Sequence, residues 1–370
     1  MPTKIKTFDI SLVAVPILIL AVGIAEIYSL SVGTDSGLGS KQLIFALVGI
    51  AILLLVSFLD YRFFKGTAWI FYSISILLLF AVDIFGKTAK GATNWLDLGF
   101  FQLQPSELTK IFAITVLSAF LSERIGRLKF RDIFLSFVII SPALIMVLRE
   151  PDFGAALIII LIFFALIFCS KPSKIQTVII GMTISFLIAV VMLAYYNIAP
   201  FGQVLKDYQR HRIAVFLNPD LDPYGKGYNV KQAQITIGSG GIIGKGLGKG
   251  SQSQLQFLPE PHTDFIIAGV GESFGFLGIF TVMALFCVFI IKLLNIAKSA
   301  RDNFGMLLVL GITAMFLSQI IINVSMNMGL MPVTGITLPL LSYGGTSLIV
   351  SLFAIGLVQS IYIRHKKINF

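Results

Sequence analysis

Residues 10–31 read ISLVAVPILILAVGIAEIYSLS, 22 positions with a single charged side chain. A helix needs about 20 mostly apolar residues to cross the hydrocarbon core of a bilayer. Lys4 and Lys6 precede this run as they would in a signal peptide, but the apolar stretch reaches Val32 and outlasts a signal h-region. It is therefore read as a retained first span. Nine further stretches repeat the pattern: 42–59, 67–86, 105–122, 133–148, 154–170, 175–195, 265–291, 306–328 and 347–363. The sequence predicts an all-α polytopic membrane protein of ten transmembrane helices. It forms a single membrane domain over 1–370, with a long extracytoplasmic loop, 196–264, between helices 7 and 8.

Composition agrees. Of 370 residues, 56% are hydrophobic and 12% charged, with a mean hydropathy of +0.92. Soluble domains carry about a quarter charged residues, so a cytosolic globular protein is excluded. Cys169 and Cys287 lie inside apolar runs and offer neither a disulfide framework nor a metal spacing. His211, His262 and His365 are far apart. The net charge of +10 is explained by where the cations fall. Sixteen of 28 Lys and Arg, from Lys4 and Lys6 to Arg364, Lys366 and Lys367, lie in the termini and alternate loops. The short loops of the other face hold Lys41, Lys87, Lys90 and Arg149. By the positive-inside rule both termini are cytoplasmic. The charge is thus an orientation signal, not a nucleic-acid footprint.

Three outward-facing segments exceed what a compact bundle needs: 87–104, 196–264 and 329–346. Loops beyond about 15 residues are usually functional or disordered. The middle segment carries Phe201, Tyr208, Phe216, Tyr224, Tyr228, Ile235, Ile237 and Phe257, enough apolar surface to fold over the outer face. Thirteen of 18 acidic residues lie in or beside outward segments, which places any chemistry there. The glycine-rich stretch 238–250, GSGGIIGKGLGKG, accommodates neither G-x-G-x-x-G nor G-x-x-x-x-G-K-[ST] and reads as a tightly turning loop.

Four features carry candidate chemistry. Glu107 and Lys110 in PSELTK are three residues apart on one helical face. At membrane depth they either neutralise each other as a packing pair or line a site for a charged substrate. Glu150-Pro151-Asp152 ends the fifth helix, as a solvated turn or as a site border. Ser342-Tyr343-Gly344-Gly345-Thr346 precedes the last span, where small residues allow close approach and Thr346 or Ser347 can cap the helix. In LPEPHTDF, residues 258–265, two prolines force an extended approach to the eighth helix. Asp264 then serves either as its N-cap or as a general base at the water–lipid boundary, with His262 two residues away. Trp95 in TNWLDLG is an interfacial anchor or part of the site wall.

Taken together, KGATNWLDLGFFQLQPSELTK, REPDFG, DYQRHRIAVFLNPDLDPYGKGYNVKQAQITIGSGGIIGKG, SQSQLQFLPEPHTDFI, GESFGFLG and MPVTGITLPLLSYGGTSLI resemble the SEDS family of RodA, FtsW and SpoVE, most closely its rod-shape branch. The resemblance runs from Lys90 to Ile349. It implies a peptidoglycan glycosyltransferase that polymerises lipid II at the outer face of the bacterial cytoplasmic membrane during cell elongation. It also implies a class B penicillin-binding protein as transpeptidase partner, with other elongation-complex membrane proteins and membrane lipid around it. By motif match Asp264 is the catalytic residue. Trp95, Gln104, Ser106, Glu107, Lys110, His262 and Ser342 fall to substrate binding. The reaction expels a diphosphate, so cations must stabilise it; Lys110, Arg210 and Arg212 qualify. A divalent cation held by outer carboxylates is the alternative, and no other cofactor is implied. Relatives often carry Gln or Arg at the position of Glu150, and some an acidic pair at Glu272-Ser273. A flippase for the lipid-linked precursor, or a non-catalytic scaffold for cell-wall synthases, fits the same intramembrane charges.

Overall fold

The computed structural model describes residues 8–31, 37–89, 92–97, 99, 101–196, 198, 207–255 and 257–365. All ten apolar stretches are helical: α1 (Ile10–Ser31), α2 (Leu38–Phe58), α4 (Ala68–Phe85), α5 (Pro105–Leu121), α6 (Phe130–Arg149), α7 (Phe153–Cys169), α8 (Lys174–Tyr195), α12 (Ile266–Ser299), α13 (Asn303–Asn327) and α14 (Gly345–Ile363). A short α3 (Tyr61–Gly66) links α2 to α4. The outer faces of the bundle present Leu47, Leu55, Leu77, Phe134, Ile175 and Met182, all exposed in the isolated chain. Such a surface is stable against lipid tails and not against water, so the protein is a multi-pass membrane protein.

Eight of these helices are long and apolar enough to cross a membrane; α5 and α7 have 17 residues each. At 1.5 Å per residue that is roughly 26 Å, somewhat short of a hydrocarbon core of about 30 Å. Their position explains the length. Thirteen residues of α5 and nine of α7 are buried, packed against α13. A helix whose ends are covered by protein does not have to reach the headgroups.

Segment 87–104 is not a plain loop. It forms a three-stranded antiparallel meander, β1 (Lys87–Ala89), β2 (Ala92–Asp97) and β3 (Gln102–Leu103), with Lys87 opposite Trp95 and Leu96 opposite Leu103. The long outer segment folds, as its aromatic content suggested: α9 (Asp207–Leu217), a 3-10 turn at Pro219–Leu221, α10 (Lys226–Ser239) and α11 (Ser251–Gln254). Among its expected packing residues, Phe201 lies outside the described residues.

The glycine-rich stretch turns out to be a plug in a broken helix. Within α12, Gly275 has φ 68° and ψ −163°, a conformation open essentially to glycine alone. The backbone groups this break releases are taken by the 241–246 loop. Lys245 and Gly246 N–H donate to the carbonyls of Glu272 and Ser273, and Phe276 and Leu277 N–H donate to those of Gly241 and Ile242, at 2.9–3.1 Å. The Glu272 carboxylate fastens the plug, accepting from Lys245 Nζ at 2.8 Å, Ser253 Oγ at 2.7 Å and the Gln252 and Ser253 amides.

Candidate active site

Asp264 occupies a turn whose every neighbour is anchored. Leu258 and Phe265 are buried with Ala233 of α10 and Ala268 of α12, fixing both ends. The Ser342 hydroxyl donates to the Thr263 carbonyl at 2.6 Å and accepts the Leu338 N–H at 2.8 Å. Tyr343 N–H donates to the His262 carbonyl at 2.8 Å. From α13, Asn323 and Asn327 Nδ2 each donate to the Asp264 carbonyl at 3.0 Å. The N-cap residue of α12 is Phe265, which makes no side-chain cap bond. Nor does Thr346 cap α14. The N-cap there is Gly344, and the Thr346 hydroxyl instead donates to the Gln102 carbonyl and accepts the Gln104 N–H.

Asp264 lies close to two recesses without lining either. Its Oδ2 lies 3.7 Å from where a side chain on Gly335 would begin, a position left open because Gly335 has φ 74° and no Cβ. Gly335, with Thr337, Gln104, Glu107, Lys110 and Asp152, lines the first recess, of about 290 Å³ to its open mouth. Lys110 Nζ donates to Glu107 Oε1 at 2.8 Å, with both side chains nearly fully buried. Asp152 is the N-cap of α7: Oδ1 accepts the Ala155 N–H at 2.9 Å, and Oδ2 accepts from Gln104 Nε2 and Ser106 Oγ at 3.3 Å. The turn at Glu150–Asp152 is thus no fully solvated bend: Asp152 lines the first recess and Glu150 is buried beside it in sequence. Glu150 is buried, and among the described residues neither of its oxygens has a hydrogen-bond partner. Burial, followed by the nearby charges of Asp152 and Asp83, pushes its carboxyl up to about 8.

The second recess, about 440 Å³ to its mouth, lies between α9, α10 and residues 329–333. Arg212 and Lys226 supply its charges and Val215, Phe216, Val230 and Pro332 much of its apolar wall. Burial and the like charge of Arg212 lower the Lys226 ammonium to about 8, with Asp222 and Asp264 pulling the other way. The Arg212 guanidinium lies 5.3 Å from the ring centre of Phe153, the residue after Asp152.

The structure therefore gathers Gln104, Ser106, Glu107 and Lys110 at the first recess, close to Asp264, and puts Arg212 in the second. Other residues singled out by sequence stand aside. Trp95 is half-buried on β2 and lines neither recess. Arg210 Nη2 donates to the Ala194 carbonyl at 3.3 Å, at the end of α8. His262 packs edge-on against Tyr343, ring centres 5.9 Å apart, with Nε2 3.8 Å from Glu260. Ser342 is a fastener of the Asp264 turn, its hydroxyl given to backbone on both sides. Sequence reasoning missed Lys226, inconspicuous in GKGYN. It also missed Asn323 and Asn327, whose i, i+4 spacing in an apolar helix is the signal that finds them. Among the described residues no group of three or more His, Cys, Asp or Glu is arranged to hold a metal ion.

With the site in view, the comparisons with known proteins are direct. The model of the FtsW, RodA and SpoVE cell cycle protein family matches residues 9–367, and the chain belongs to that family. The peptidoglycan glycosyltransferase MrdB of Escherichia coli K12 is 35% identical, over all of this chain and 98% of its own. A chain from a peptidoglycan synthase complex, solved to explain how polymerization and crosslinking are coordinated, superposes with a TM-score of 0.82. It is 29% identical and covers 97% of this chain and 98% of its own. The rod shape determining protein RodA of Thermus thermophilus superposes with a TM-score of 0.70 at 28% identity, covering 96% of each chain.

Proposed function

We propose that the protein is a peptidoglycan glycosyltransferase that polymerises lipid II on the outer face of the bacterial cytoplasmic membrane, with both termini cytoplasmic and α5 and α7 completing ten crossings. A single observation carries the mechanism: one carboxylate, Asp264, stands close to two recesses, one lined by Lys110 and the other by Arg212 and Lys226. Two lipid-linked disaccharides must meet at one base, and this arrangement offers each a place. In the reaction the GlcNAc 4-hydroxyl of one substrate attacks the MurNAc anomeric carbon of the other. Its proton passes to Asp264 as the new C–O bond forms. The bond from the anomeric carbon to the diphosphate breaks, and the electron pair leaves with undecaprenyl diphosphate. Inversion needs one base, typically worth 10²–10⁴-fold. The departing diphosphate needs charge rather than a proton, and Lys110, Arg212 and Lys226 are the cations on the recess walls.

The glycosyltransferase names of the relatives support this reading over a flippase or a silent scaffold, and so does the folded outer segment. A class B penicillin-binding protein is the partner we assign, supported by the likeness to a chain of a polymerising and crosslinking complex. Purified protein supplied with lipid II, with and without that partner, tests the assignment. Glycan strands are the expected product. Transbilayer movement of lipid II without strands would make it a flippase, and neither activity would make it a scaffold.

A further inference from the structure

The second recess has a composition that the reaction chemistry does not by itself demand. Its walls are largely apolar, yet both Arg212 and Lys226 line it, and the charge of Arg212 disfavours the Lys226 ammonium. Lys226 is held in place by its own turn: its N–H donates to Asp222 Oδ2 at 2.8 Å, and the Tyr228 N–H donates to the Asp222 carbonyl at 3.2 Å. Two like charges kept together in a half-buried recess cost free energy that a bound anion recovers. Apolar walls with a doubly cationic edge match a diphosphate carrying a prenyl chain, and match neither a sugar nor a neutral lipid.

We propose that this recess is the polyprenyl diphosphate subsite and that Lys226, with Arg212, is the residue that grips the diphosphate. The proposal rests on the lipid II reading given above. The charges facing Lys226 are Arg212 on α9, Asp222 in the preceding turn and Asp264 before α12. The first opposes its protonation and the other two favour it. A diphosphate in the recess adds to the favourable side and holds the ammonium charged. Affinity is then highest below pH 8 and falls as the pH rises through the value of about 8 at which Lys226 loses its proton.

The test is equilibrium binding of undecaprenyl diphosphate to the purified full chain in nanodiscs at pH 7 and pH 9. Wild type should bind about tenfold more weakly at pH 9, the loss of one charge-assisted hydrogen bond. Lys226→Arg, charged throughout, controls for the ligand's own ionisation and should vary by less than about twofold. Lys226→Met should be about tenfold weaker than wild type at pH 7 and insensitive to pH. Inorganic pyrophosphate should displace the ligand, whereas phosphatidylglycerol should not. Wild-type affinity in Lys226→Met would overturn the subsite. So would displacement by phosphatidylglycerol and not by pyrophosphate, which would mark the recess as a contact for membrane headgroups. A chain that binds with this pH profile but makes no strands would leave the subsite standing and remove the polymerase reading.

Discussion

Lys110 is among the largest fully buried side chains of the molecule, and its charge is met by Glu107 at 2.8 Å. Removing one partner leaves a buried charge uncompensated, at a cost of about 3–5 kcal/mol, while removing both can be nearly neutral. Glu107→Gln and Lys110→Met should therefore each lower the amount of folded protein in the membrane, and the double variant should restore it. Because both line the recess beside Asp264, the double variant should stay inactive in lipid II polymerisation; recovered activity would reduce the pair to packing. Glu150 makes a pH prediction. Its folded-state value, about 8 against 4.5, is raised, so its protonated form is favoured by folding. That contribution to stability is complete below about pH 4.5 and is lost as the pH rises through about 8. Glu150→Gln, neutral at all pH, should flatten this part of the melting-temperature profile between pH 5 and 8.5; an unchanged slope would remove Glu150 as its source. At this scale the sequence was partly legible. Spacing put Glu107 and Lys110 on one face, but whether Asp264 caps α12 depended on where the helix begins, which the chain settles one residue later, at Phe265.

The break in α12 and the glycine loop that fills it form one device. Spans were legible because an apolar run of 20 residues has few alternatives in a bilayer, and the ten expected stretches match helices with ends shifted by a few residues, except that α12 runs on to Ser299, well past the expected end at 291. Nothing local, however, tells that Gly275 breaks a helix or that residues 241–246 repair it, since the pairing joins segments some thirty positions apart. The same applies to the 87–103 meander, whose hydrogen bonds link strands too short to show alternation. A Cβ at Gly275 would fall on Gly244 N and the Ile242 carbonyl, in a backbone region that costs other residues about 1–3 kcal/mol. Gly275→Ala should lower the apparent melting temperature by several degrees in detergent. Gly181→Ala, on α8 with nothing within 4 Å, should not. Equal effects would mean that the break contributes no specific structure.

At the scale of the whole molecule, orientation rests on charge and function on the outer cluster. In a chain with Cys169 and Cys287 replaced by Ser, single cysteines at Ser251 and Ser299, both exposed positions, should report opposite sides of the membrane. An impermeant thiol reagent on intact cells should label Ser251→Cys and not Ser299→Cys; equal labelling would refute the orientation. The family motifs made the catalytic turn legible, whereas its second cation was not: Lys226 meets Arg212 through the fold of the outer segment, which no local pattern encodes. The central claim is that Asp264 is the base. Asp264→Asn removes the basic oxygen, leaves the Asn323 and Asn327 bonds to its carbonyl intact, and keeps a side chain that caps a helix about as well. The decisive measurement is the rate at which purified Asp264→Asn polymerises lipid II beside wild type, at equal amounts of folded protein and with the transpeptidase partner present. The rate should fall by two orders of magnitude or more, the share of a general base, with melting temperature and partner binding unchanged. A folded variant that retains more than about a tenth of the wild-type rate would contradict the mechanism.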